Sequence, residues 1–269
     1  MTRQEGLDPE IERYYSRGRE HERLRAGHGL LEFERTMDIL GRHLPPPPGR
    51  ILDVGGGPGP YARALLDIGY DVVLVDPMPL HVEQARAAGV LAARVGDARK
   101  LSDPAASFDA VLLLGPLYHL VDRNDRIAAL HEAARVVRPG GFVAAAGISR
   151  VAPLLDGLMR GFVEDADFEM RLADTLSDGV HRNPTRREGW FTTAYMHRHE
   201  ELAAEAEEAG WRLVATYAVE GPAVLLADVD DRLADPSRRA ALLRTIARVE
   251  QEPAFLDVTG HLLTVAERP

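Results

Sequence analysis

The run Arg50-Ile-Leu-Asp-Val-Gly-Gly-Gly-Pro-Gly-Pro60 brings a carboxylate, Asp53, to the end of an apolar segment and follows it at once with Gly55, Gly56, Gly57 and Gly59. Glycine has no Cβ, so such a turn lets a ligand approach bare backbone. The helical composition of residues 61–68 turns the free amide N–H groups of a helix start toward the same place. The chemistry this spacing serves is the binding of a nucleotide-like molecule. Three further groups close apolar runs downstream: Asp76-Pro77 after residues 71–75, Asp97-Ala98 after Val95, and Leu114 with Tyr118 and His119 after residues 108–113. Asp76 lies 17 residues beyond Gly59, near the spacing of roughly 20 expected of a ribose-binding acid. His119 follows a strand whose carboxyl end belongs at a binding crevice, and an imidazole with an unperturbed pKa of about 6.5 suits proton removal at neutral pH.

The elements that must carry these groups alternate strand and helix, which implies a parallel sheet with right-handed crossovers. Two cofactor classes use a glycine-rich first strand-to-helix turn. The dinucleotide pattern Gly-x-Gly-x-x-Gly is met by Gly55 and Gly57, but Pro60 stands at its third glycine. Asp53, Gly55, Gly57 and Gly59 fit the acidic-x-Gly-x-Gly-x-Gly spacing better, and there the chain resembles the class I S-adenosylmethionine-dependent methyltransferases. The resemblance covers Arg50 to about Ser149, including the Arg135-Val-Val-Arg-Pro-Gly-Gly-Phe142 turn from helix to strand.

That resemblance implies a Rossmann-like, doubly wound α/β fold of seven mainly parallel strands, ordered 3-2-1-4-5-7-6 with strand seven antiparallel, and an inserted helical lid. It implies S-adenosylmethionine as cofactor, held by Asp53, Gly55, Gly56 and Gly57, with Asp76 accepting both ribose hydroxyls beside Pro77. Asp97 would accept from the adenine amine, Ala98 would line the ring, and the backbone near Leu114 would lie against the cofactor. Tyr118 and His119 would stand beside the transferring methyl group, His119 removing a proton where the acceptor carries one. An amino-terminal segment folding over the cofactor would bring in Tyr14 or Tyr15, with Tyr15 on the substrate side, and Arg35 would pair with the cofactor carboxylate. The mechanism implied is in-line displacement by an O, N or C atom, with alignment and exclusion of water supplying most of the rate.

Pro45 to Pro48 form a stiff spacer, dividing the chain into a helical cap over residues 1–48, a cofactor-binding core over 49–149, a lid over 150–197 and a completion of the sheet over 198–269. Within the cap, residues 11–24 and 30–44 are predicted helical, the second with apolar positions Leu30, Phe33, Met37 and Leu40. The lid is predicted to hold a helix over 154–162 and a dense mixture of aromatic, basic and imidazole groups. There Arg150, His181, Arg182, Tyr195 and His197 are the substrate-binding expectations, with Arg186 and Arg187 as further cations. His197 and His199 alternate along an extended segment, but no third ligand at suitable spacing accompanies them, so no metal site is expected.

A formal net charge of -10 over 269 residues disfavours a nucleic-acid surface. The absence of cysteine removes disulfides, thiolate nucleophiles and iron–sulfur chemistry. No apolar stretch reaches a membrane span and residues 1–25 are too charged for a secretory signal, so the expected setting is cytoplasmic and the partner a small molecule, with a homodimer left open. The residue after the fourth strand reads Leu114-Gly-Pro-Leu, unlike the Asn/Asp-Pro-Pro-Tyr/Phe of enzymes acting on exocyclic base amines. An NAD(P)-dependent oxidoreductase and a non-catalytic S-adenosylmethionine-binding protein stand as alternatives.

Overall fold

Continuous apolar runs become strands covered on both faces, and residues 51–52, 72–75 and 110–113 do so, all at 8% exposure or less. The computed structural model describes residues 7–18 and 20–269; residues 1–6 and 19, part of the predicted 1–48 segment, lie outside it. Strands β1 (Arg50–Val54), β2 (Asp71–Asp76), β3 (Ala93–Val95), β4 (Phe108–Leu113) and β5 (Val137–Ser149) are joined in the parallel order β3-β2-β1-β4-β5. Two short strands follow in the insertion, β6 (Val180–His181) and β7 (Ala194–His197), and then β8 (Arg212–Ala218) and β9 (His261–Glu267). Strand β9 runs antiparallel between β5 and β8. The predicted order 3-2-1-4-5-7-6 is therefore met, β9 being the antiparallel seventh strand of the prediction and β8 the sixth.

Helices cover both faces. On one side Ile39 and Leu40 of the Gly27–His43 helix, Ala62 and Leu65 of Pro60–Asp67 and Val82 and Ala85 of Pro79–Ala87 pack against Ile51, Leu74 and Leu112. On the other, Ala129, Leu130 and Ala133 of Arg123–Val136 and Leu202 and Ala206 of His199–Glu208 pack against Leu52, Val111 and Val143. Each Leu, Ile or Val among them contributes about 1.5–3 kcal/mol by burial, and each Ala less. The helix preceding the proline run thus shares its core with β1 on the far side of that run. Among the described residues no helix is long and apolar enough to cross a membrane.

The insertion has the expected helices and adds an unexpected hairpin. It holds helices Ala152–Arg160 and Ala166–Asp178, and then the antiparallel pair β6–β7. Strand β7 pairs in parallel with the end of β5, Ile148 with Met196 and Ser149 with His197, beyond Ala145, the last residue of β5 that pairs with β4. The extra hairpin therefore occupies the place where β4 has stopped, directly over the crevice. The predicted amino-terminal helix is also divided, into Pro9–Tyr15 and Glu20–Arg23, the chain turning at Gly18 with φ of 69°.

Two guanidinium groups lie wholly inside. Arg35 donates to Asp38, Glu250 and the carbonyl of Val219. Arg126 donates to Glu205, at 2.7 and 2.9 Å for its shortest contacts, and to the carbonyls of Leu120 and Val121, both at 2.9 Å. Arg126 and the neighbouring His197 hold the Glu205 carboxyl at about 2, against the opposing effect of burial. Asp53 in β1 has no such partner: it is fully buried and neither oxygen is hydrogen-bonded. Desolvation, with the charge of Asp76 adding to it, pushes its carboxyl up to about 7.

Two outcomes follow. Replacing Arg126 by Ala leaves the Glu205 carboxylate buried without its main counter-charge, and stability should fall by about 3–5 kcal/mol in denaturant melts; an unchanged midpoint would contradict the closed pair. Asp53 binds its proton more tightly folded than unfolded, so its stabilising contribution is full below about 3.8 and is lost as pH rises through about 7. Asp53→Asn should therefore gain stability relative to wild type between pH 5 and pH 8, and a difference independent of pH would refute the shift.

Candidate functional site

Strand β1 ends one step short of β2, so the register Val54↔Val75 leaves Asp76 projecting beneath the turn that leaves β1. The amide of Gly55 donates to the Val75 carbonyl at 2.7 Å and that of Gly57 to Asp76 Oδ2 at 2.9 Å. The other Asp76 oxygen accepts from the Met78 amide at 2.9 Å and from His81 Nδ1 at 3.0 Å. Glycine is required here on two counts. Gly55 and Gly57 have φ of 69° and 57°, and a Cβ on Gly55 would stand 2.8 Å from Pro116 Cδ. Pro60 opens the next helix and has no N–H, so the helix start faces the cavity with one donor fewer than a pyrophosphate cradle would use.

A cavity of about 840 Å³ opens above this turn. One wall is Gly55, Gly56 and Gly57 with Asp76 and Pro77; a second is Asp97, Ala98 and Arg99; a third is Leu114 with Tyr118 and His119. The amino-terminal segment roofs it with Ile11, Tyr15, Glu20 and Arg23, and Arg182 reaches it from the lid. The roof is tied to the lid by the Asn183 amide donating to Glu10 at 3.0 Å and by the edge of Tyr14 against Phe191, with centroids 5.6 Å apart.

His119 is fixed from both sides. Its Nδ1 lies 3.2 Å from the carbonyl of Thr193, at the start of β7, and its Nε2 lies 2.7 Å from Tyr15 Oη. A carbonyl only accepts, so Nδ1 carries the proton and Nε2 receives the Tyr15 hydroxyl. Burial pulls the imidazole down to about 4, so it is neutral through the whole physiological range. Burial likewise raises the Tyr15 and Tyr118 phenols, which remain protonated. Loop 115–121 that carries His119 is anchored by Arg126 on the Leu120 and Val121 carbonyls.

At the other end of the cavity Arg23 donates to Glu20 at 2.6 Å and to Glu32 at 2.5 Å. Behind them His261 lies 3.7 Å from Glu32 and 2.6 Å from Glu220. Burial opposes its charge, yet the two glutamates raise it to about 9. Acid and base alternate along this row, with the Arg23 guanidinium at the end that meets the ligand space.

Several residues singled out from sequence do not reach the cavity. Arg35 is saturated by Asp38, Glu250 and Val219 at the opposite side of its helix. Asp53 sits behind the turn, where a Cβ on Gly56 would come within 2.5 Å of its Oδ2. Tyr14 packs on Tyr15 and Phe191 instead of the cavity. Arg150, Tyr195 and His197 form a buried polar cluster that pins the hairpin. Arg150 donates to Glu201 and the Met196 carbonyl, the Arg126 guanidinium stacks 3.8 Å from the Tyr195 centroid, and His197 lies 3.5 Å from Glu205. His181 is buried in β6, and burial lowers its pKa. His199 pairs with Asp257, turned away from His197.

Arg23, Glu20, His81 and Arg99 line the cavity unannounced by the motif. For Arg99 a signal existed, two places after Asp97, whose carboxylate it grips at 2.6 Å. For Arg23 and Glu20 only the helical spacing of three was available, and that spacing is common on solvated faces.

Residues 51–141 match a methyltransferase domain. Over 99 residues the chain is 40% identical to an uncharacterized methyltransferase of Mycobacterium tuberculosis, covering 36% of this chain and 39% of that protein. It is 36% identical over 106 residues to a ubiquinone biosynthesis O-methyltransferase of Methylocella silvestris, covering 38% of this chain and 40% of that one. The matches thus span about two fifths of the length of these curated relatives. Among solved structures, an S-adenosylmethionine-dependent methyltransferase of Methanosarcina mazei superposes with a TM-score of 0.58 at 17% identity, over 86% of this chain and 96% of the other. With the strand order, the glycine turn and the acid beneath it, these likenesses identify residues 51–141 as a methyltransferase domain of the class I S-adenosylmethionine-dependent kind.

Proposed function

We propose that this chain moves a methyl group from S-adenosylmethionine to a hydroxyl oxygen of a small organic acceptor. The observation that carries the reading is one cavity with two unlike walls: the glycine turn with Asp76 on one side, and the Tyr15–His119 pair on the other. The residues present fit the cofactor. Gly55 to Gly57 provide a cradle that side chains would fill, Asp76 offers a carboxylate toward a diol, Asp97 and Ala98 border the flat slot expected for adenine, and Arg23, which shares its donors between Glu20 and Glu32, is a cation that borders the cavity where Arg35 does not.

When bound, S-adenosylmethionine supplies a methyl group already activated by its sulfonium. The chain then has three tasks: to hold the acceptor in line, to keep water out beneath the Pro9–Tyr15 roof, and to take a proton. As the acceptor oxygen took the methyl carbon and the methyl–sulfur bond broke to leave a neutral thioether, the acceptor hydroxyl would pass its proton to Tyr15 Oη while the Tyr15 proton moved to His119 Nε2. The carbonyl of Thr193 then holds the resulting imidazolium through Nδ1. His119 is free to receive a proton at any ordinary pH because burial keeps it unprotonated, and the same burial makes it a weaker base than an exposed imidazole. An oxygen acceptor is favoured by this arrangement, since Oη and Nε2 form a ready path for a hydroxyl proton. The likeness to the ubiquinone biosynthesis O-methyltransferase of Methylocella silvestris points the same way.

The net charge of -10 speaks for a small acceptor over nucleic acid. Incubation with isotopically labelled methyl donor and a metabolite extract, read by mass spectrometry, tests the proposal: label should enter a small molecule at oxygen. Binding of NADH and not S-adenosylhomocysteine in a calorimetric titration would overturn it in favour of an oxidoreductase, and cofactor binding without turnover of any acceptor would leave a sensor.

Arg23→Met should weaken S-adenosylhomocysteine about tenfold or more, whereas Arg35→Met should leave its Kd within about twofold; the reverse ranking would restore Arg35. Tyr15→Phe and His119→Gln should each lower kcat by about 10²-fold with cofactor affinity retained. For the wild type, kcat/KM should fall on the acid side only as pH drops through about 4, where His119 gains its proton; an acid limb near 6.5 would rule this imidazole out.

A further inference from the structure

Asp76 is expected to receive both hydroxyls of a ribose, yet its hydrogen-bonding capacity is largely spent. An ionised carboxylate offers about four acceptor positions. Three are filled from within the chain, by the Gly57 amide, the Met78 amide and His81 Nδ1. One position remains for two hydroxyl donors.

The second acceptor stands next to it. His81 is the third residue of the Pro79–Ala87 helix, 3% exposed, and it lines the cavity. Because Nδ1 is donated to the Asp76 carboxylate, neutral His81 presents a bare lone pair at Nε2. That atom is buried and has no hydrogen-bond partner among the described residues. Tyr15, whose ring edge lies against His81 with centroids 5.1 Å apart, does not satisfy it, since its hydroxyl is given to His119. A buried acceptor left without a donor is disfavoured, so an unpartnered acceptor fixed in orientation on a residue that lines the cavity calls for a hydroxyl from the ligand, reached as the Tyr15 ring edge beside it shifts.

We propose that His81 is a cofactor-binding residue: its Nε2 accepts one ribose hydroxyl and the last free position of Asp76 accepts the other. The assignment rests on the S-adenosylmethionine reading of the cavity. A hydroxyl of the methyl acceptor has the same chemistry, and the experiment separates the two sources because it contains no acceptor.

The test is the Kd, by calorimetry at pH 8, of S-adenosylhomocysteine and its 2′-deoxy and 3′-deoxy analogues for wild type, His81→Asn and His81→Gln. The Asn amide nitrogen reproduces the Nδ1 donor and deletes Nε2; Gln reaches the Nε2 position with an amide oxygen. Wild type should bind each deoxy analogue about three- to tenfold more weakly than the parent. His81→Asn should lose that preference for one hydroxyl and keep it for the other, His81→Gln should retain both, and thermal melts should show all three proteins folded. Full discrimination of both analogues by a folded His81→Asn would overturn the assignment, as would loss of either preference in a folded His81→Gln. Failure of wild type to bind S-adenosylhomocysteine at all would instead remove the cofactor reading on which it stands.

Discussion

One carboxylate governs the geometry of this protein's ligand space. Asp76 leaves β2 one step beyond the last paired residue of β1 and there gathers the amide of Gly57, the amide of Met78 and the imidazole of His81. It thereby locks the glycine turn to the start of the following helix. The bond to Gly57 forms only because Gly57 takes a positive φ that turns its N–H downward, and the turn lies close enough to Pro116 only because Gly55 has no Cβ. The cavity floor is thus set by two strand ends and a few backbone donors, all local to a βαβ unit.

The facing wall is built differently, from segments far apart in the chain. Tyr15 comes from the amino-terminal helix, His119 from the loop after β4, and the Thr193 carbonyl from the lid. The lid reaches that place by prolonging the sheet: β7 takes up the free edge of β5 where β4 has ended. This pairing uses backbone groups that would otherwise be left open at the crevice, and it brings residue 193 over residue 119. The bond between Glu10 and Asn183 then ties the roof, and with it the helix that carries Tyr15, to the lid.

These two modes of construction explain what was legible in the sequence. The sheet order came with the family resemblance, while the turn, Asp76, Asp97, Ala98, Leu114 and His119 all lie where strand ends must deliver them, and a strand end is visible in an apolar run that stops. The insertion was legible only as an insertion. Its β6–β7 pair has two and four residues, too short for a period to declare itself, and Thr193 contributes a carbonyl, which every residue has. Arg35 misled for a related reason: a cation on a helix next to the sheet looks alike whether it meets a ligand or Glu250, a residue 215 positions away.

The lid shows why composition alone overstated its role in binding. Arg150, Tyr195 and His197 are aromatic or cationic, as binding residues often are, but buried charge must be paired wherever it occurs. Arg150 spends its donors on Glu201 and on the Met196 carbonyl, while Tyr195 lies between two guanidinium groups. Such a cluster holds a short hairpin that has little apolar surface of its own. The Asp76–His81 pair is marked by the opposite condition, a fixed orientation with capacity left unused. Burial without a partner is insufficient, as Asp53 behind the turn makes plain, because the group must also border the cavity. Arg150 fails both requirements and Asp53 the second, whereas His81, which lines the cavity, meets both, its donor committed to Asp76 and its acceptor unpartnered among the described residues.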